Sequence, residues 1–521
     1  MNSRANAASR FVDAHRELRA SKTAYVEADS LERSLSYGEL AEQSDRFASF
    51  YERHGLRREE RVVMLMLDRI EFPVVFWGSL KSGVVPIPLN TLLSSELYRA
   101  ILNDSRAQAM FLSPELWPVV KPVTSEVPTL QKIFLVGGDL EAVKAESSIP
   151  VYDFHSEHAS SEPRPCLEVS ADESAFWLYS SGSTGVPKGV RHVHGSLEAT
   201  SETYGRQVLG IREDDVAFSA AKMFFAYGLG NSMTFPLSMG ATTVLLSGRP
   251  TPDSVLSAFA KHQPTLFFGV PTLYAAMLAH LGGQKPAGSE RLRLCVSAGE
   301  ALPEEIGRRW KEMFGSDILD GVGSTEMLHI FLSNQTSDIV YGTSGTAVPG
   351  YELRLVDEQG QEVGTGEVGE LLVNGPSAAE GYWNQRSKSR STFEGAWTRT
   401  GDKYERREDG RLVYCGRTDD MFKVSGIWVS PFEVEQALIS HEAILEAAVV
   451  PQRDEEGLEK PKAYVVLKAG FSEEGLAEVL KDHVKAKIGN WKYPRWVEVM
   501  DELPKTATGK IQRFKLRETS C

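Results

Sequence analysis

The chain has 521 residues, of which 42% are hydrophobic and 25% are charged, a composition typical of a soluble globular protein. At roughly 100–200 residues per domain, this length predicts about two to four domains. The net charge of −14 at pH 7 argues against nucleic acid as a partner, because nucleic-acid binding needs a basic face.

The N-terminal segment, the apolar runs and the cysteine spacing argue against a secreted, a membrane-spanning and a disulfide-rich protein. The N-terminal segment has basic residues but no apolar stretch of the kind found in secretory signals, and no apolar run is long enough to span a bilayer. The cysteines Cys166, Cys295, Cys415 and Cys521 are widely spaced, so neither a disulfide framework nor a zinc site is expected. Cys295, in LRLCVSA, is interpreted as a small buried residue. We predict a cytoplasmic protein with no membrane partner.

From Arg61 onwards, apolar strands alternate with amphipathic helices. RVVMLML is predicted to be a strand, EFPVVFWGSLKSG a helix that ends at Gly83, and VVPIPL a second strand. SSELYRAILNDSRAQ is predicted to be a helix with a serine cap, followed by the strand AMFLS. PTLFFGV with TLYAAMLAHL, and LRLCVSAG with EEIGRRWKEMFG, repeat the pattern. This βαβαβ order is typical of a doubly wound parallel sheet.

Two changes of texture follow. From about Tyr351, short strands with glycine turns, YELRLVDEQGQEV and GEVGELLVNG, predict a small barrel-like β region. After GRTDDMFKVSG, the segments SPFEVEQALISH, EAAVVPQ, KAYVVLK and EEGLAEVLKDHVKAK predict a C-terminal α+β unit. The predicted fold class is therefore α/β, with a large domain at 1–418 and a mobile C-terminal α+β domain at 419–521.

The stretch YSSGSTGVPKGV at 179–190, the glycine-rich loop, is predicted to bind phosphate. It follows the predicted strand FWLYSS, and ligands bind at the carboxyl ends of strands in α/β folds. Glycines let backbone N–H groups surround an anion, hydroxyls add donors, and Lys188 supplies a positive charge. The order of residues does not match a Walker A loop, in which the lysine follows the last glycine. The alternative is a flexible surface turn.

Five further motifs accompany this loop: SAGEALP (297–303), DGVGSTE (320–326), WTRTGD ending at Asp402, GRTDDMFKVSG (416–426) and PKTATGK (504–510). Together, in this order, they resemble the adenylate-forming superfamily of acyl-CoA synthetases, luciferases and peptide-synthetase adenylation domains. The resemblance extends from about Leu35 to Leu516. It implies that a carboxylate attacks the α-phosphate of ATP to give an acyl adenylate and pyrophosphate, and that a thiol then displaces AMP.

The resemblance also implies roles for single residues. The β- and γ-phosphates would be held by Ser180, Ser181, Gly182, Ser183, Thr184, Gly185 and Lys188. Thr325 would contact the α-phosphate and Glu326 would bind Mg²⁺. Adenine would be bordered by Gly299, Glu300, Ala301, Asp320 and Gly321, and the ribose by Asp402 and Arg417. Many family members have an aromatic residue where this chain has Val322, so adenine packing is expected to differ in detail.

The C-terminal part of the resemblance implies a hinge. Asp419 matches the residue about which the small domain rotates between the two half-reactions. Lys510 matches the lysine that acts in adenylation, and Gly426 would flank the tunnel of the thiol. Lys423 is a candidate for contact with the carboxylate or for the thiol step. A solvated linker is the alternative for the acidic pair at 419–420.

The acyl pocket is predicted from AAKMFFAYGLGN (220–231) and STEMLHIFLSN (324–334), which resemble benzoate-CoA ligases. The implied lining is Phe225, Ala226, Tyr227, Gly323, His329 and Ile330. Small residues at Ala226 and Gly228 are expected to leave room for a ring, beside aromatic neighbours. The alternatives are an aromatic core and a structural role for His329. His192 and His194 are interpreted as structural.

The leading hypothesis is an ATP-dependent aryl-CoA ligase that uses ATP, Mg²⁺, coenzyme A and benzoate or a related aryl carboxylate. The alternatives are an adenylating enzyme that loads a carrier protein, a luciferase-type oxidoreductase, and a non-catalytic nucleotide-binding scaffold. A scaffold has no need for Thr325, Glu326, Asp402, Arg417 and Lys510 together. A homodimer is left open. The surroundings of Lys510 resemble the target of protein acetyltransferases, so an acetyltransferase and a deacetylase are further candidate partners.

Overall fold

The computed structural model describes residues 6–180, 187–418, 420–424, 427–454, 458–489, 492–505 and 511–518. Its first sheet has five parallel strands, in the spatial order Val85–Pro88, Arg61–Leu65, Ala109–Leu112, Lys132–Leu135 and Val151–Asp153. Connecting helices are Glu71–Ser82, Ser95–Ser105, Trp117–Thr124, Leu140–Glu146 and Phe154–Ala159, with a short 3₁₀ turn at Pro114–Leu116. The predicted βαβαβ unit is confirmed, including the end of one helix at Gly83 and the cap of the next by Ser94.

The second sheet has nine strands and contains the predicted strand-to-helix repeats. Their spatial order is Thr346–Ala347, Ile330–Ser333, Asp317–Gly323, Leu294–Ala298, Leu266–Gly269, Val216–Ser219, Thr242–Leu245, Thr23–Glu27 and Ser30–Ser36. The six strands from Asp317–Gly323 to Thr23–Glu27 are parallel, and the strands at both edges pair antiparallel. Cys295 is buried in this sheet, as predicted.

Helices cover both large sheets and the space between them. Those beside the nine-stranded sheet include Pro252–His262, Pro271–Leu281 and Glu304–Phe314. The remaining ones in the first 250 residues are Ala7–Phe11, Asp13–His15, Tyr37–Asp45, Phe47–Arg53, His194–Thr200, Ala226–Leu229 and Phe235–Met239, with π-helical turns at Ser201–Val208 and Gly230–Thr234. Within the described ranges, no helix is both long enough and apolar enough to cross a membrane.

Two smaller antiparallel sheets follow. One contains Ser174–Ser180, Lys188–Val193 and Gly381–Tyr382. The predicted strand before the glycine-rich loop is confirmed, and the chain continues from the loop into an antiparallel partner strand. The other sheet contains Glu352–Val356, Val368–Asn374, Phe393–Glu394, Trp397–Arg406 and Leu412–Arg417, which form the predicted β region; the helix Arg386–Thr392 lies between its strands.

The C-terminal part forms a separate α+β domain. A sheet of Ile444–Arg453, Glu459–Leu467 and Trp496–Val499 packs with the helices Pro431–Ile439 and Leu476–Ile488, and the hairpin Phe422–Val424 with Ile427–Val429 and the helix Arg513–Glu518 complete the unit. Its apolar side chains, such as Val434 and Leu480, form a core of their own. Asp419, the predicted boundary residue, lies outside the described residues, so the boundary stays a prediction.

Candidate active site

The nine-stranded sheet brings two of the predicted motifs together at one edge. Leu294–Ala298 and Asp317–Gly323 are neighbouring parallel strands in which Ser297 lies opposite Asp320 and Ala298 lies opposite Gly321. Both strands end at the same side of the sheet, so the loop that begins at Gly299 lies next to the end of the DGVG segment. Residues 299–301 and 320–321, predicted to border adenine, are therefore adjacent.

The buried Asp320 carboxyl group stabilises the loops at this edge of the sheet. It accepts hydrogen bonds from the Leu302 N–H and from the Ser344 hydroxyl, each at 3.2 Å. Burial raises the pKa of Asp320 to about 7, although both hydrogen bonds act in the opposite direction. Asp320 therefore anchors the loop after Gly299 through its side chain.

A buried histidine holds the backbone of the second motif. His192 Nε2 donates to the Thr325 carbonyl oxygen at 2.8 Å, and its ring stacks on Phe176 with centroids 5.3 Å apart. Burial lowers the pKa of His192 to about 4, so the ring is neutral at pH 7 and has one N–H to donate. The interpretation of His192 as structural stays a prediction, and the histidine touches the backbone of a candidate catalytic residue.

Lys188, the candidate phosphate-binding lysine, forms an ion pair with Glu326, the candidate metal ligand. Lys188 Nζ lies 3.5 Å from Glu326 Oε1, and each side chain is 15% exposed. The Tyr382 hydroxyl donates to the same carboxylate oxygen at 2.8 Å and lies 3.3 Å from Lys188 Nζ. Tyr382 belongs to none of the predicted motifs; its local signal is the aromatic pair in GYW, within an otherwise polar segment.

The two residues predicted to contact ribose lie side by side. Asp402 and Arg417 occupy opposite positions in neighbouring antiparallel strands, and Arg417 Nη1 lies 2.8 Å from Asp402 Oδ1. The same nitrogen donates to the Thr400 carbonyl at 2.9 Å. The register of these two consecutive strands thus brings together two residues that are 15 positions apart in the chain.

Part of the predicted acyl pocket is assembled around His329, which is 2% exposed. Its Nε2 lies 3.2 Å from the Tyr227 carbonyl oxygen, and its ring meets Phe235 edge-on at 4.5 Å. A carbonyl oxygen can only accept, so Nε2 carries the ring proton. Burial lowers the pKa of His329 to about 3, and its Nδ1 has no hydrogen-bond partner within the described part of the chain.

Two glycines of this region meet backbone or ring atoms rather than open space. A Cβ on Gly230 would lie 2.4 Å from the His329 ring, so the glycine permits that ring to approach. A Cβ on Gly228 would lie 2.0 Å from the Lys222 carbonyl oxygen. The expectation that Gly228 leaves room for a substrate ring is therefore wrong, because the polypeptide itself fills that space.

The other predicted pocket residues lie on several different elements around His329 and the first sheet. Ile330 pairs with Gly323 across neighbouring strands and packs its side chain near Gly321. Phe225 contacts Phe224, with ring centroids 4.4 Å apart, and Ala226 packs against the core cluster beside the first sheet. Within the described residues, the Phe225 ring makes no ring contact with His329.

The C-terminal domain reaches this site through the residue after Lys510. The Ile511 N–H donates to Glu300 Oε1 at 2.9 Å. The loop that begins at Gly299 is therefore in contact with the segment that follows the candidate catalytic lysine. Several predicted site residues lie outside the described residues: Ser181, Gly182, Ser183, Thr184, Gly185, Asp419, Gly426 and Lys510, together with the side chain of Lys423.

The chain matches two family models, described as AMP-binding enzyme over residues 12–383 and AMP-binding enzyme C-terminal domain over residues 433–510. The chain belongs to the AMP-binding enzyme family. Within this family it is 54% identical over 503 residues to a benzoate–CoA ligase of Thauera aromatica, with 96% of this chain and 93% of the relative covered.

Two further members of the AMP-binding enzyme family are similar over almost their whole length. A 4-hydroxybenzoate–CoA/benzoate–CoA ligase of Rhodopseudomonas palustris is 52% identical over 525 residues, covering 98% of this chain and 94% of the relative. The crystal structure of a benzoate CoA ligase from Burkholderia xenovorans matches with a TM-score of 0.90 at 48% identity, covering 98% of this chain and 99% of that one. The two-domain fold is thus that of adenylate-forming ligases.

Proposed function

We propose that the protein is an ATP-dependent aryl-CoA ligase. It would convert benzoate, or a close aryl carboxylate, and coenzyme A into the thioester, with release of AMP and pyrophosphate. The proposal is carried by the ion pair of Lys188 with Glu326 beside Thr325, in a chain 52–54% identical to ligases of that name.

Adenylation requires groups that neutralise phosphates, since the reaction needs positioning and charge stabilisation more than covalent catalysis. Lys188 is a compact point charge suited to phosphate. The Thr325 backbone is held by His192, so the Thr325 hydroxyl would meet the α-phosphate from a fixed main chain. Lys510 would supply the charge between the carboxylate and the α-phosphate.

The donor set fits magnesium. Mg²⁺ is usually bound through one or two carboxylates together with substrate phosphates, and Glu326 offers a carboxylate next to the lysine proposed to bind phosphate. We assign Glu326 as the protein ligand of the ion. When bound, Mg²⁺ would neutralise phosphate charge.

The aryl ring of the substrate would bind next to the side chains of Tyr227 and His329. The rings of these two residues lie 5.6 Å apart, and the neutral His329 places no positive charge there. A flat apolar ring suits such aromatic walls, whereas the carboxylate needs a cation, which the Lys510 segment would provide. Benzoate has this combination of groups.

The thiol step would follow a rotation of the domain at 419–521 about Asp419, which would bring Lys423 and Gly426 towards the site. Acetylation of Lys510 by an acetyltransferase, reversed by a deacetylase, would remove its charge and switch the first step off. A cytoplasmic location and a homodimer belong to the same proposal.

The test is product analysis by mass spectrometry with purified protein, ATP, Mg²⁺ and coenzyme A. Benzoate, 4-hydroxybenzoate, acetate, hexanoate and cinnamate would be compared by kcat/KM. We expect aryl-CoA and AMP in equal amounts, with benzoate above acetate, hexanoate and cinnamate. A preference for a linear acid would overturn the pocket assignment. Acyl-AMP without thioester would instead favour an enzyme that loads a carrier protein.

A further inference from the structure

Tyr382 lies where three separate segments of the chain meet. The short strand Gly381–Tyr382 pairs with the strand that leaves the glycine-rich loop, with Tyr382 opposite Val190. The Trp383 N–H donates to the Gly189 carbonyl at 2.8 Å and fixes this pairing. Because the paired position is two residues beyond Lys188, the tyrosine comes within reach of the lysine, although 194 residues separate them in the chain.

The Tyr382 side chain is 5% exposed and is held by packing. Its ring forms a small cluster with Val190 and Ala379, with Phe393 packed against it. Lys188 Nζ lies 4.5 Å from the ring centroid, a cation–π distance. The ring position therefore does not depend on the hydroxyl group, which can be removed without emptying the cluster.

The hydroxyl connects the lysine and the carboxylate. It donates to Glu326 Oε1 at 2.8 Å and lies 3.3 Å from Lys188 Nζ. A carboxylate oxygen can only accept, so the phenol O–H is the donor in this hydrogen bond. Its oxygen can then accept from the lysine.

We propose that Tyr382 is a positioning residue that orients Glu326 as a metal ligand and holds Lys188 beside it. The inference rests on the proposed function, since it concerns binding of ATP with its magnesium ion. Carboxylates that bind metals are themselves held by hydrogen bonds, and loss of such a partner costs about 10- to 100-fold in metal affinity or activity. The alternative is that Tyr382 only fills its apolar cluster.

The test variant is Tyr382→Phe, which keeps the ring and removes the O–H. The matched control is Tyr98→Phe, because Tyr98, on the helix Ser95–Ser105, is also buried and its hydroxyl donates to the Asn90 carbonyl at 2.8 Å. Affinity for α,β-methylene-ATP would be measured by calorimetry over a range of Mg²⁺ concentrations. We expect Tyr382→Phe to need about 10- to 100-fold more Mg²⁺ for half-maximal nucleotide binding, with the control unchanged.

Two further measurements separate positioning from packing. In a Glu326→Gln background, Tyr382→Phe should produce no additional change in Mg²⁺ dependence, because the hydroxyl acts through that carboxylate. The conversion of supplied benzoyl-AMP and coenzyme A should stay within twofold of the parent. Parent-like Mg²⁺ dependence, additive effects in the double variant, or equal losses in both half-reactions would overturn the proposal. The calorimetric result does not depend on which acid is the substrate, so its failure is distinct from failure of the proposed function.

Discussion

The Ile511 N–H donates to Glu300 Oε1 at 2.9 Å, which joins the C-terminal domain to the end of the nine-stranded sheet. Ile511 directly follows Lys510 in the chain, so this hydrogen bond holds the candidate catalytic lysine's neighbour beside the loop that begins at Gly299. Glu300 was expected to border adenine. The contact favours an additional role, in which Glu300 binds the C-terminal domain in the arrangement used for adenylation.

Glu300→Ala should slow adenylation and spare the thiol step. Hydrogen bonds to charged groups contribute about 1.5–3 kcal/mol, so the loss should be about 10- to 100-fold in benzoyl-AMP formation, measured by pyrophosphate release. Glu300→Gln keeps an acceptor oxygen and should lose less. Benzoyl-AMP itself contains adenine, so if Glu300 only bound adenine, its loss would also slow the conversion of supplied benzoyl-AMP. That result would contradict the docking role.

Lys510→Ala should slow benzoyl-AMP formation from ATP severely, while supplied benzoyl-AMP is still converted to benzoyl-CoA. A removed electrostatic contact of this kind costs about 10²–10³ in rate. The control is Lys505→Ala, in the same segment, because Lys505 pairs with Glu446 at 2.7 Å and has no predicted catalytic role. Enzymatic acetylation of Lys510 should reproduce the alanine variant. Equal loss in both half-reactions would refute a role confined to adenylation.

His329→Leu should change the ranking of ring substituents. In His329 the Nε2 proton faces the Tyr227 carbonyl, which leaves Nδ1 as a lone pair able to accept from a hydroxyl or amino group on the ring. We expect kcat/KM for hydroxybenzoates and aminobenzoates to fall relative to benzoate, whereas benzoate itself changes less. The same ratio in parent and variant would leave His329 with a purely structural role.

The free energy of unfolding should fall as pH decreases from about 6.5 to 4. Burial lowers the pKa of His158, His192 and His194 to about 4 each, so in this window the unfolded chain binds protons that the native chain does not. Asp320 and Asp68 act in the opposite direction, since their raised pKa values of about 7 and about 6 favour the native state as pH falls. The three histidines outnumber these two carboxyl groups.

Urea unfolding at pH 7, 5.5 and 4.5 would measure this dependence. His158 donates to the Gln43 carbonyl at 2.7 Å, away from the candidate site, so His158→Gln should flatten the pH dependence without altering substrate preference. Each pKa unit corresponds to about 1.4 kcal/mol. A stability that rises towards pH 4.5 would show that the histidines are not the controlling groups.

Sequence periodicity alone predicted several elements of the two large sheets. The strands Arg61–Leu65 and Leu294–Ala298, and the helix Glu71–Ser82, follow from apolar runs and helical spacing, because the choice between a strand and a helix face depends on neighbours in the chain. The positions of the motif loops after these strands were predictable for the same reason, and so was the division into a large α/β part and a C-terminal α+β part.

Only the tertiary structure decided which distant groups meet. The hairpin partner of Ser174–Ser180, the position of Tyr382 between Lys188 and Glu326, and the hydrogen bond from Ile511 to Glu300 depend on register and domain packing. A glycine is needed at position 228 because the Lys222 carbonyl oxygen approaches it closely, and no local pattern encodes that approach. Local spacing determines which face a side chain occupies, but the partner across a sheet or between domains is selected by burial of surfaces far apart in the chain.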